Sequence, residues 1–225
     1  MSPTPAATFQ ALDLDTFTQR LSSAEPTPGG GTGAAVTGAL GAALVRMLCM
    51  LSLGRPKYAA HEALLSEIAA QCEEHRKAFL ALADEDARSY DAVSVAMKLP
   101  RATPEEAARR EVAVEAALKG ACEAPLRVME VALDVISQAK MAVERGNKNA
   151  ASDGAAGASL CRAALTVAAY NVKINLVGVK DVTWCKDMRT RLDEMLYMGT
   201  AVAQEIDSLV NDLWAPRPQK PGTPA

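Results

Sequence analysis

Aromatic residues supply only 4% of this 225-residue chain, so its 49% of hydrophobic residues rest mainly on alanine and small aliphatics. Side chains that small fill a core only where helices approach closely. Histidine occurs twice, as His61 and His75, which speaks against a histidine-based metal site. The five cysteines, Cys49, Cys72, Cys122, Cys161 and Cys185, contain no C-x-x-C pair. An odd, scattered set speaks against a disulfide or zinc framework and for a reducing, cytoplasmic setting. No basic block stands out at a net charge of -3, so the footprint of a nucleic-acid partner is missing. The N-terminus lacks the basic segment and apolar run of a signal peptide. The apolar run from Gly33 to Val45 is closed by Arg46 and is too short to span a bilayer. It reads as a buried helix, and no membrane partner is expected.

Alternating strand patterns are absent as well, and helical periodicity fills nearly the whole chain. Residues 1–8 and 215–225, rich in Pro, Ala and Thr, read as disordered tails around a single domain at 9–214. Asp13 or Asp15 caps a first short helix. A second runs from Thr32 to Leu53, stopped by Gly54-Arg55-Pro56. A long third helix spans about Tyr58 to Met97. Thr103-Pro104-Glu105-Glu106 combines an N-cap, a proline at the first helical position and a capping box. That helix is expected to kink at Pro125 and to resume as far as Arg145. Another helix spans Asn149 to Gly178. Asp181 caps the last one, whose seam is Met188, Leu192, Met195, Gly199, Val202, Ile206, Leu209 and Leu213. The fold class is all-α, an antiparallel up-and-down bundle of long helices.

Within this frame the segment Thr27-Pro28-Gly29-Gly30-Gly31-Thr32-Gly33 stands out. Three consecutive glycines cost backbone entropy, so something must come close to the chain there. A dinucleotide loop needs a preceding strand, and a phosphate-binding P-loop needs Gly-Lys-Ser/Thr; neither is present. What remains is a glycine-lined helix N-terminus with free N–H groups, suited to an anion or a carbonyl, or else a tight turn for close helix packing. Asp86 falls on the apolar stripe Phe79, Leu82, Asp86, Tyr90, Val93 and Met97. An inward carboxylate is costly unless paired, and its pKa should rise. Asp84, off that stripe with Arg88 and Asp91, reads as a solvated charge, and His75 as a satisfied core residue. Gly146-Asn147-Lys148-Asn149-Ala150-Ala151-Ser152-Asp153 crowds polar groups at a helix start, beyond what capping requires. Farther along that helix, Asn171 and Asn175 share a face with Asp153, yet Asp153 and Asn171 stand roughly 27 Å apart at about 1.5 Å per residue. Either they serve different tasks or a second subunit unites them.

Together these segments resemble the formiminotransferase-cyclodeaminase and methenyltetrahydrofolate cyclohydrolase family of folate one-carbon metabolism, over about residues 12–213. The family's P-G-G-G turn is matched by Pro28 to Thr32. Its basic stretch before a tyrosine is matched by Gly54 to Tyr58, with Pro56 removing one positive charge. Its D-x-D-A motif is matched by Asp84, Asp86, Ala87 and Tyr90. Its L-P-x-x-T-P-E-E turn is matched by Leu99-Pro100 and Thr103 to Glu106. Its V-P-L stretch is matched by Ala124-Pro125-Leu126. Its G-N and S-D pairs and its N-V-x-I-N motif are matched by Gly146-Asn147, Ser152-Asp153 and Asn171 to Asn175.

The resemblance implies a cytoplasmic homodimer acting on a folate, with no metal and no cofactor beyond that substrate. It implies hydrolysis of 5,10-methenyltetrahydrofolate to 10-formyltetrahydrofolate, favoured because the chain has no room for a formiminotransferase domain. The alternatives are ammonia-releasing ring closure of 5-formiminotetrahydrofolate and a non-catalytic folate-binding or scaffold module. Asp86 and Asp153 are the expected catalytic acids or bases. Pro28, Gly29, Gly30, Gly31, Thr32, Tyr58, Asn147, Ser152 and Asn175 are the expected substrate contacts, with Arg55, Lys57 and Lys148 for the glutamate carboxylates.

Overall fold

The computed structural model describes residues 8–215, so the tails expected at 1–8 and 215–225 fall outside it apart from Thr8 and Ala215. Among the described residues the chain is helical and no strand forms. Asp13 caps α1 (Leu14–Leu21) by accepting the Thr16 N–H at 2.8 Å. The long helices are α2 (Gly30–Met50), α3 (Glu62–Met97), α5 (Glu123–Arg145), α6 (Ala151–Leu176) and α7 (Val182–Trp214), with a shorter α4 (Pro104–Gly120) between α3 and α5. The capping box forms at α4: the Thr103 hydroxyl accepts the Glu106 N–H and the Glu106 carboxylate accepts the Thr103 N–H. Asp181 caps α7 through the Trp184 N–H at 3.0 Å.

Some boundaries differ from the sequence expectation. α4 stops at Gly120 and α5 restarts at Glu123, so the break precedes Pro125. Proline in the first turn is tolerated because its missing N–H has no helical partner there. Residues Pro56–His61 and Lys148–Ala150 form 3-10 turns, which delay the starts of α3 and α6. In the second half of α7 the buried line passes through Ala203 and Val210, with Val202 and Leu209 half-buried and Leu213 exposed. Leu165 of α6 packs onto the bare Cα of Gly199, at the middle of that line.

Contacts along the chain fix the topology. α2 runs antiparallel to α3, since Gly31 meets Asp86 and Gly38 meets Phe79. It also runs antiparallel to α6, where Gly41 meets Gly157 and Leu48 meets Gly154. α5 is antiparallel to α3 through Cys72–Gln138 and Glu85–Arg127, and parallel to α7 through Glu130–Arg191 and Lys140–Glu205. α2 therefore lies inside, packed on α3, α5 and α6. At 21 residues it is longer than the apolar run suggested, long and apolar enough to cross a membrane by length and composition. Its Gly31, Ala35, Ala42 and Val45 side is instead buried against its neighbours.

The tightest crossing is glycine on glycine. A Cβ on Gly157 would lie 2.7 Å from the Gly41 carbonyl oxygen, and one on Gly41 would lie 2.8 Å from the Gly157 oxygen. Backbone cannot yield as a side-chain tip does. Gly157→Ala should therefore destabilise the fold by about 1–3 kcal/mol through overpacking, read as a lower urea midpoint at unchanged slope. An unchanged midpoint would mean that α2 and α6 do not approach this closely.

Candidate active site

At the end of the bundle where α2 begins and α3 and α6 end lies a cavity of about 520 Å³. Its formation follows from the α3 stripe. Phe79 and Leu82 are buried in the core, but α3 continues for 15 residues beyond Leu82. There Tyr90, Val93 and Met97 line the cavity; Val93 still packs against the core, while Tyr90 and Met97 stay half exposed.

Asp86 is the carboxylate of this cavity, and it sits on the first turn of α2. The Thr32 hydroxyl donates to Asp86 Oδ2 at 3.0 Å. A Cβ on Gly31 would fall 2.2 Å from Oδ1 and 2.6 Å from Cγ of Asp86. The close approach that the glycine turn implied is thus made by a side chain of this same protein. Burial pushes the Asp86 carboxyl above its ordinary value, while the Thr32 hydroxyl and backbone N–H pull it down; burial wins. The group is held close to a positive helix end, yet more weakly acidic than a free aspartate.

α6 supplies the opposite wall. The Asn171 amide donates to the Val167 carbonyl at 2.8 Å, and the Asn175 amide donates to the Ala121 carbonyl at 3.0 Å. Both line the cavity, and a Cβ on Gly30 would meet Asn171 at 3.7 Å. With both amide N–H₂ groups engaged by backbone, the side-chain carbonyls remain as acceptors.

The structure divides the residues anticipated from sequence. Gly29, Gly30, Gly31, Asp86 and Asn175 line the cavity. Pro28 and Thr32 are buried behind that lining. Tyr58, Asn147 and Lys148 gather at the other end. Asn147 accepts from the Tyr58 hydroxyl at 3.2 Å and donates to the Leu51 carbonyl, while its N–H donates to Ser52. The Lys148 ammonium donates to the carbonyls of Val143 and Glu144, both at 2.7 Å, closing the last turn of α5. Arg55 and Lys57 are exposed there, the Lys57 ammonium 5.5 Å from the Tyr58 ring centre. Ser152 is exposed and Asp153 half-buried on the first turn of α6.

Asp84 departs from expectation: it is 8% exposed and accepts the Phe9 N–H at 2.7 Å, tying the N-terminal segment to α3. Its solvated reading failed because the cover comes from a segment distant in sequence. Ser89, Ser94, Lys98 and Asn171 also line the cavity. Continuing the α3 periodicity past Asp86, and treating Asn171 with Asn175 as an i, i+4 pair, were the available signals. His75 is half-buried beside Gln138, its pKa lowered chiefly by burial. The thiols are buried, with Cys49 pushed up to about 11 and Cys72 and Cys122 to about 12 by desolvation, so they are poor nucleophiles. Among the described residues no cluster of three metal-ligating side chains occurs.

A raised carboxyl pKa carries a sign. Asp86 stabilises the fold most below its ordinary value of 3.8, and that contribution is lost as pH rises through the higher folded value. Asp86→Asn should therefore gain stability relative to the parent as pH increases from about 4 to 8, read by urea midpoints across that range. A variant that instead loses stability relative to the parent over that range would contradict the effect of burial on Asp86.

Residues 13–194 match the family model described as formiminotransferase-cyclodeaminase. The chain is 37% identical to a methenyltetrahydrofolate cyclohydrolase of Methylorubrum extorquens, over 86% of this chain and 93% of that protein. It is 33% identical to the formimidoyltransferase-cyclodeaminase of Gallus gallus, over 84% of this chain but only 36% of that longer protein. The crystal structure of a formiminotetrahydrofolate cyclodeaminase from Thermotoga maritima superimposes with a TM-score of 0.83 at 30% identity, covering 91% of this chain and 98% of the other. The family model spans most of the chain and the relatives match it over most of its length, so the chain belongs to the formiminotransferase-cyclodeaminase family.

Proposed function

We propose that the chain is a methenyltetrahydrofolate cyclohydrolase, converting 5,10-methenyltetrahydrofolate and water to 10-formyltetrahydrofolate and a proton. The observation that carries it is the match across 93% of a relative bearing that name. The cavity suits the chemistry: one carboxylate of raised pKa, acceptors opposite it, and apolar walls for a ring system. A carboxylate favours the amidinium cation of the substrate. It takes a proton from water as the oxygen adds to the bridging carbon, then returns that proton to N5 as the carbon–N5 bond breaks, and the hydroxyl proton leaves to solvent as the formyl group forms on N10. An acid weakened by burial is suited to both transfers.

Ring closure with loss of ammonia from 5-formiminotetrahydrofolate is the second reading, favoured by the 0.83 TM-score to a cyclodeaminase. It also passes through a tetrahedral carbon between N5 and N10, formed as N10 adds to the formimino carbon, which carries an amino group and expels it as ammonia. Loss of the methenyltetrahydrofolate absorbance well above the spontaneous rate supports hydrolysis. Ammonia release without that loss would transfer the assignment to the cyclodeaminase. Asp86→Asn should lower kcat by about 10²-fold or more. Gly31→Ala should fold and lose activity in the same direction, because its methyl displaces the carboxylate. Full activity in either removes Asp86 from the reaction.

Asp153 stands roughly 27 Å from Asn171 along α6, so within one chain it does not share the cavity. We infer a two-fold homodimer in which the partner's α6 start approaches this cavity. Support comes from large apolar side chains left exposed on several helices, among them Leu40, Tyr170, Ile174 and Tyr197. Mixing inactive Asp86→Asn and Asp153→Asn subunits should then restore about a quarter of parental activity, since half of the dimers are mixed and carry one intact site. No recovery on mixing, or an active Asp153→Asn homodimer, would rule the shared site out.

A further inference from the structure

The substrate proposed above has two ends of opposite charge, an amidinium and a glutamate, whereas within one chain the cationic residues expected for the glutamate stand away from the cavity. Arg55 and Lys57 lie beside Tyr58 at the other end of the bundle, and Lys148 is engaged by backbone carbonyls. The cavity lining contains one cation, Lys98. It follows the last residue of α3, is exposed, and makes no ion pair among the described residues. By contrast, Lys119 and Lys180 nearby are paired, with Asp181 and Glu111.

The geometry points to Lys98 as the anchor for the substrate's glutamate carboxylates, setting substrate orientation from the opposite end to Asp86. This rests on the folate reading. The two residues are twelve positions apart on one rigid helix, roughly 18 Å at about 1.5 Å per residue. Helical side chains lean back toward the N-terminus, and a lysine stem reaches roughly 6 Å from its Cα by bond lengths. Asp86 leans the same way, so the two charged groups stand between about 12 and 18 Å apart along the axis, room for the p-aminobenzoylglutamate half of the substrate between the bridging carbon and the glutamate carboxylates. Tyr90, Val93 and Met97 lie on α3 between them and supply apolar wall for the ring. A cation just past a helix C-terminus also gains from the dipole. That gain is indifferent to substrate, so a substrate comparison separates the two roles.

The test compares kcat/KM for 5,10-methenyltetrahydrofolate with that for its glutamate-free analogue, 5,10-methenyltetrahydropteroate. In Lys98→Gln the ratio of the two should fall about tenfold or more, as expected for a lost charge-assisted contact. The fall should come through KM, and Lys98→Arg should restore most of it. An unchanged ratio in Lys98→Gln overturns the proposal. So does a fall confined to Arg55→Gln or Lys57→Gln. Parent protein that turns over neither substrate removes the folate reading and this proposal with it, whereas turnover with an unchanged ratio removes this proposal alone.

Discussion

The Asp86 carboxylate rests against the first turn of α2, in space that exists only because residue 31 has no side chain. Much of this end of the molecule follows from that contact. The free N–H groups of a helix start prefer an anion, while burial disfavours one, and the balance leaves Asp86 a weakened acid facing a cavity. A methyl at Gly31 would occupy the carboxylate's position, and moving α2 away to admit it would open the crossing with α6. The glycine turn therefore belongs to the packing and to the chemistry at once.

That crossing explains the composition. α2 is flanked by α3 and α6 and presents glycine or alanine where they press closest: Gly38 beneath Phe79, and Gly41 on Gly157. Glycine lowers intrinsic helix stability by about 1 kcal/mol relative to alanine. Close backbone approach and the dense burial of neighbouring Ala35, Ala42 and Val45 offset it. The larger core side chains, such as Phe79, Leu165 and Leu192, reach over these bare positions or fill the outer layers. Where α3 outruns this packing, the same stripe that built the core becomes a cavity wall.

The opposite end of the bundle shows how polar crowding can close a structure. Asn147, Ser52 and Tyr58 satisfy one another and the backbone at the turn between α5 and α6, and Lys148 occupies the last carbonyls of α5. In sequence, this cluster and the glycine turn both read as candidate sites. In space, one is turned inward onto backbone and the other opens into a cavity.

The sequence by itself determined the helical class, the caps at Thr103 and Asp181 with the first narrowed to Asp13 or Asp15, the placing of Asp86 on an inward stripe, and the family through the order of its motifs. These are local or one-dimensional properties: periodicity, cap chemistry and spacing are written in neighbouring residues. What only the tertiary structure decided is which groups meet. That Gly31 makes room for Asp86, that Phe9 covers Asp84, that Lys98 reaches the cavity while Arg55 and Lys57 stand at the far end, and that α4 stops before Pro125 all depend on contacts between distant segments. Helix rise separates residues along one axis predictably, but lateral neighbours arise from the packing of five long helices. There the smallest side chains, not the most chemical ones, set the distances.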